Sequence, residues 1–185
     1  MIAPLKPPGG PGLCCPGGDP LEPPLAYGPV PPSPGRGHYA RPMLTISSLL
    51  YEKIVAHARA DHPDEACGVV AGPAGSDRPE RFIAMLNAER SPTFYRFDSQ
   101  EQLRVWREMD DRGEEPVVIY HSHTATGAYP SRTDISYASE PEAHYVLVST
   151  REPDRTEFRS FRIVDGVVTE EEVRVSADGA EPAAE

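Results

Sequence analysis

The alternation of apolar and polar positions divides the chain into elements from Met43 onward. After Ser47 and Ser48, either of which caps a helix, LLYEKIVAHARADH sets Leu50, Ile54 and Ala58 four residues apart. This is one face of an amphipathic helix that ends before Pro63. In DEACGVVAG the apolar core Ala66 to Ala71 predicts a short buried strand closed by Gly72 and Pro73, and RFIAMLNA, residues 81–88, predicts a second. DSQEQLRVWREMDDRG predicts a helix: Ser99 and Gln102 have capping-box spacing, Leu103 and Trp106 supply apolar positions, and Gly113 stops it. PVVIYHSH and AHYVLVST, residues 116–123 and 143–150, are apolar almost until they end, the pattern of central strands buried on both faces. FRSFRIV, an Asp165-Gly166 turn and VVTEEEVRV predict a closing antiparallel hairpin. Helices and strands in this order indicate an α/β domain, a mixed sheet flanked by helices.

Both ends break the pattern. Residues 1–42 are about half proline and glycine, without apolar periodicity, and are expected to be a disordered leader or, if translation starts at Met43, a start-site artefact. From Ser176 the sequence SADGAEPAAE reads as a flexible tail, which leaves residues 43–175 as the folded domain. No apolar stretch approaches the roughly 20 residues of a membrane-spanning helix. A lipid-attachment signal ahead of Cys14 and Cys15 needs an apolar run where Pro11 and Gly12 stand. Three cysteines, two of them adjacent, make no disulfide framework, so a reducing compartment, the cytoplasm, is expected. The net charge of −11 falls almost wholly on the folded part, which has no basic cluster and so argues against a nucleic-acid partner.

Chemistry concentrates in YHSHTATGAYPSRTD, residues 120–134. A strand projects residues i and i+2 to one side, so His121 and His123 can aim two imidazoles at one point. Gly127 and Pro130 can turn the chain back, and Ser131 can cap a short helix, SRTDISYA, that presents Asp134 from its first turn. Two imidazoles and a carboxylate are a three-ligand zinc set with a fourth position open; on spacing alone a polar loop remains the alternative. Upstream, Glu65 begins the strand EACGVVAG, where it is either a solvated strand-end glutamate or a base beside that centre. Cys67, between Ala66 and Gly68, reads as a buried small hydrophobe, because a fourth protein ligand closes the site that hydrolysis needs. His57 is expected on a helix surface, His62 in a turn and His144 at a strand edge, none with a partner at a telling spacing.

Glu65-Ala66-Cys67-Gly68, then His121-Ser122-His123, Pro130-Ser131 and Asp134, resembles the motif of the JAMM (MPN+) metallopeptidases: a glutamate, two histidines one residue apart, and an aspartate after ten more, with a Pro-Ser pair between. DHPDEACGVVAG and NAERSPTFYRFDS extend the resemblance to the bacterial Mec-type members. It covers Met43 to Val175 and implies a JAB1/MPN-like, cytidine-deaminase-like fold. It further implies that His121, His123 and Asp134 bind Zn²⁺, that Glu65 relays a proton from the attacking water to the leaving amine, and that Ser131 donates to the oxyanion. The implied reaction removes a C-terminal cysteine from a ubiquitin-like sulfur carrier protein in cysteine biosynthesis. A broader isopeptidase and a non-catalytic MPN scaffold are the alternatives; the second is disfavoured by the complete set of motif residues. Phe94, Tyr95 and Tyr129 either flank a substrate groove or pack as ordinary aromatics. One departure is Thr124, where the family has a proline, which bears on loop shape.

Overall fold

A computed structural model describes residues 43–177. The expected leader, with Cys14 and Cys15, and all but the start of the expected tail lie outside the described residues. The elements run β1 (Met43–Ser47), α1 (Ser48–Ala60), β2 (Cys67–Pro73), β3 (Arg81–Met85), α2 (Ser99–Arg112), β4 (Glu114–His123), α3 (Arg132–Tyr137), β5 (His144–Ser149), β6 (Glu157–Val164) and β7 (Val167–Ser176). All strands join one seven-stranded sheet in the order β1-β7-β6-β5-β4-β2-β3, parallel at β4/β5 and β1/β7 and antiparallel elsewhere.

Each face of the sheet is closed by a helix. Leu50, Ile54 and Ala58 of α1 pack with Val70, Val118, Tyr120, Val146 and Val148 on one face. On the other, Val105 and Met109 of α2 meet Val69, Ile119, Tyr145 and Leu147. Strands β4 and β5 are therefore covered on both sides, which is why their sequences are unbroken apolar runs. At the β6/β7 turn both Asp165 (φ 51°) and Gly166 (φ 78°) adopt the left-handed conformation that a two-residue hairpin loop requires.

Several sequence expectations change in detail. Strand β1 is an addition: MLTIS alternates, burying Leu44 and Ile46, and pairs in parallel with β7, which runs through Ser176. Ser47, rather than Ser48, caps α1 by accepting from Leu50 N at 3.2 Å. For α2 the cap is Asp98 instead of Ser99; its Oδ1 accepts from both Gln100 N and Glu101 N at 3.1 and 2.9 Å. Its buried face is Val105 and Met109, with Leu103 exposed. Strand β3 ends at Met85, and Asn87 then bridges to Phe97.

Two histidines also differ. His57 is half-buried, with Nδ1 at 2.8 Å from Tyr120 Oη and Nε2 at 3.3 Å from Asp61. His144 opens the central strand β5 as expected but is buried, 1% exposed, and partnered: Nδ1 donates to Glu171 Oε2 at 2.6 Å while Arg162 donates to its Nε2 at 2.9 Å. Ser160 Oγ and Arg162 Nε, each 2.8 Å from Glu171, complete the partners of that buried carboxylate. Burial alone raises its pKa, but these donors hold it below the usual value.

Strand β2 must lie close to its neighbours for the site to form. A Cβ on Gly68 would stand 2.4 Å from Tyr120 Oη and 2.5 Å from Ile83 O. Gly68→Ala is expected to lower unfolding free energy by about 1–3 kcal/mol in urea titration, the cost of overpacking a filled core.

Candidate metal centre

The site is built where β2 begins and its antiparallel neighbour β4 ends. Cys67 pairs with His121, and Ala66 is tied to the residue between the histidines twice: Ala66 N donates to Ser122 Oγ at 2.8 Å and Ser122 N to Ala66 O at 2.9 Å. Continuing that register puts Glu65 across from His123, on the face that carries α2. Two further bonds fix the Glu65 backbone, its N–H to Ser91 O and its carbonyl from Asn87 Nδ2, both at 2.9 Å.

Asp134 reaches the same place from the first turn of α3. Ser131 caps that helix in a reciprocal box: Asp134 N donates to Ser131 Oγ at 3.2 Å, and Ser131 N to Asp134 Oδ2 at 2.6 Å. The intervening loop is pinned by Ala128 N to Glu157 Oε2 at 3.1 Å and by Ser149 Oγ to Thr126 O at 2.7 Å.

Three ligand atoms converge. His121 Nε2 and His123 Nε2 are 3.2 Å apart, and Asp134 Oδ2 lies 3.5 Å from the first and 3.4 Å from the second. Tetrahedral ligands about 2.0–2.1 Å from one zinc ion stand about 3.3–3.4 Å from each other. The triangle therefore has the size of one face of a zinc tetrahedron, and the donor set, two buried imidazoles and a carboxylate, fits that ion.

The two histidines are tuned in opposite directions. Burial pushes the pKa of His121 down, against the pull of Asp134, and so favours the neutral ring. For His123 burial acts the same way, but hydrogen bonds to Asp134 and Gly127 O outweigh it and leave the pKa raised. Its Nδ1 lies 3.0 Å from Gly127 O, which can only accept, so Nδ1 carries the proton and Nε2 offers a lone pair when the ring is neutral. Burial tends to raise the Asp134 carboxyl, yet the two histidines hold it well below the usual carboxylate range. Glu65, 5% exposed, is pushed up to about 7 by burial, with His123 opposing and Asp134 reinforcing.

Of the residues singled out in sequence, His121, His123 and Asp134 come together with Ser131 at the edge, and Glu65 lies across the strand pair. Cys67 is wholly buried, its thiol pushed up to about 12 by burial and directed at Met85 O, 3.7 Å away, as expected of a packing residue. Three residues contribute more than their sequence context signals. Asn87 joins Glu65 O to Phe94 O and Arg96 N. Tyr95 stacks on His121. Thr124, in the family's proline position, donates to Pro92 O at 2.8 Å and so ties the end of β4 to the segment carrying Tyr95.

A profile of prokaryotic homologs of the JAB domain matches residues 47–164. The chain belongs to this JAB family. The CysO-cysteine peptidase of Mycobacterium tuberculosis is 72% identical over 133 residues, which span 72% of this chain and 91% of that relative. A desampylase of Haloferax volcanii is 30% identical over 111 residues, 57% of this chain and 80% of its own length. Among solved structures, a Desulfitobacterium hafniense protein superimposes with a TM-score of 0.64 at 33% identity, over 74% of this chain and 94% of that one. The JAB/MPN fold, an α/β mixed sheet with helices on its faces, is as the sequence indicated. No helix among the described residues of this JAB protein is long and apolar enough to cross a membrane.

Proposed function

We propose that the chain is a zinc-dependent peptidase that hydrolyses the amide between a ubiquitin-like sulfur carrier protein and a C-terminal cysteine, releasing cysteine for its biosynthesis. The observation that carries the reading is the convergence of His121 Nε2, His123 Nε2 and Asp134 Oδ2 at tetrahedral spacing. The 72% identity to a CysO-cysteine peptidase supports the choice of substrate. We assign the reaction to residues 43–175 and to the cytoplasm, the latter from a cysteine content without a disulfide framework.

His121, His123 and Asp134 would hold Zn²⁺, which when bound would lower the pKa of the attacking water to about 7. Glu65 takes the proton of the attacking water on its carboxylate and delivers it to the leaving amine. Burial raises its pKa and a cation beside it lowers it, and a carboxylate balanced between the two can both accept and return a proton. Ser131 can serve twice: a lone pair of Oγ accepts Asp134 N, leaving the O–H to donate to the oxyanion. Ser131→Ala is expected to lower kcat by about 10²–10³-fold through loss of that donor. Thermal unfolding should register only loss of the cap, about 1 kcal/mol; a fall in stability with kcat unchanged restricts Ser131 to capping.

Relatedness to a desampylase makes a broader isopeptidase the second reading. The test presents two substrates, a sulfur carrier bearing a C-terminal cysteine and a carrier joined to a lysine side chain, with release read by mass spectrometry. Cysteine release that stops with a chelator and returns with zinc supports the proposal. Cleavage of the lysine conjugate alone favours the second reading, and zinc binding with neither substrate cleaved favours the scaffold.

A further inference from the structure

The two histidines of the centre are held in different ways. His123 is oriented by its contact with Gly127 O, 3.0 Å from Nδ1. Nδ1 of His121 is buried and finds no hydrogen-bond partner among the described residues. A metal-ligating histidine ordinarily donates its second nitrogen to an oxygen, which fixes the plane of the ring. His121 instead has a ring against it: Tyr95 stacks on the imidazole with centroids 4.3 Å apart and planes inclined by 23°.

We propose that Tyr95 is a positioning residue, its ring fixing the plane of His121 as Gly127 O fixes that of His123, so that zinc is retained. The proposal rests on the metal reading above. Tyr95 is itself restrained on both sides. Asn87 donates to Phe94 O at 3.1 Å and accepts from Arg96 N at 3.2 Å, Ala88 N donates to Arg96 O at 2.9 Å, and the Phe97 ring lies 5.7 Å from that of Tyr95. Thr124 Oγ1, through Pro92 O, anchors the start of the same segment to the strand that bears both histidines. The stack is thus set by the backbone of residues 92–97, tied at one end to the ligand strand and in the middle to Asn87, which also holds Glu65 O.

The experiment measures release of zinc from the full chain to a chromophoric chelator in wild type, Tyr95→Phe, Tyr95→Leu and Thr124→Val. The absorption spectrum of each protein loaded with cobalt reports ligand geometry without reference to catalysis. Tyr95→Phe keeps the ring and should release zinc at the wild-type rate. Tyr95→Leu should release it about 10–100-fold faster, as when an outer partner of a ligating histidine is lost, with an altered cobalt spectrum. If Tyr95→Leu does not fold, Thr124→Val carries the test: it frees the segment at Pro92 and should also speed release, and an unchanged rate overturns the proposal. Zinc retained equally by wild type and Tyr95→Leu, or lost equally fast from Tyr95→Phe and Tyr95→Leu, overturns it while leaving the metal reading intact. Wild-type protein that binds no zinc removes both.

Discussion

Glu65→Gln is expected to lower kcat for cysteine release by about 10²–10⁴-fold, the range assigned to a positioned general acid–base group, with zinc still bound. The substitution keeps the shape and the backbone anchors at Ser91 O and Asn87 Nδ2, and removes only the capacity to take a proton. Burial pushes the Glu65 carboxyl up to about 7, and a cation at the neighbouring triangle favours the charged form and brings it down again. As pH falls through the Glu65 pKa the carboxylate is protonated, so wild-type activity declines on the acid side. That limb should lie below about 7 in the zinc-loaded protein, and the residual rate of the glutamine variant should lack it. Steady-state kinetics over a pH series, with zinc content measured on the same samples, checks both. Undiminished kcat in a zinc-loaded variant removes Glu65 from the reaction.

His121→Ala, His123→Ala and Asp134→Asn should each abolish cysteine release and prevent stoichiometric zinc binding. Each substitution removes a corner of a triangle whose edges are 3.2, 3.4 and 3.5 Å. The loss in affinity should exceed the roughly 10- to 100-fold that follows removal of an outer partner, because a direct bond is removed. Asp134→Asn is the most informative of the three. The amide resembles the carboxylate in shape and can remain at the Ser131 N–H, but it lacks the charge that two histidines hold so far below the usual carboxylate range. Retained folding by circular dichroism, absent zinc by metal analysis and absent activity together make the expected result. An active variant without zinc contradicts it.

What the sequence made legible depended on how local each signal is. His121 and His123 could be read because the strand period is two, and β4 and β5 because burial on both faces leaves unbroken apolar runs. Asp165-Gly166 announces its hairpin by itself, since both residues must take positive φ. Strand β1 carries only a short alternation: five residues beside a helix start become a strand by pairing with Glu172 to Ser176, far along the chain. In α2, neighbouring Asp98 and Ser99 are both competent caps, and Leu103 is as apolar as Val105, so only packing on the sheet decides. His144 does open its strand as expected, but its partner could not be read, because Glu171 arrives two strands later. For the same reason Asn87 reads as a loop residue until the fold brings Glu65, Phe94 and Arg96 around it. The JAMM resemblance identified the candidate ligands and base, whereas the contacts orienting them emerge only from tertiary structure.

The most direct test of the proposed reaction is hydrolysis of the sulfur carrier–cysteine adduct in water enriched in heavy oxygen, followed by intact-mass measurement of the carrier. The expected result is zinc-dependent loss of cysteine and a single heavy oxygen in the carrier's new C-terminal carboxylate, both slowed about 10²–10⁴-fold in Glu65→Gln. A zinc-loaded protein that leaves the adduct intact, or frees cysteine without taking oxygen from solvent, would contradict it.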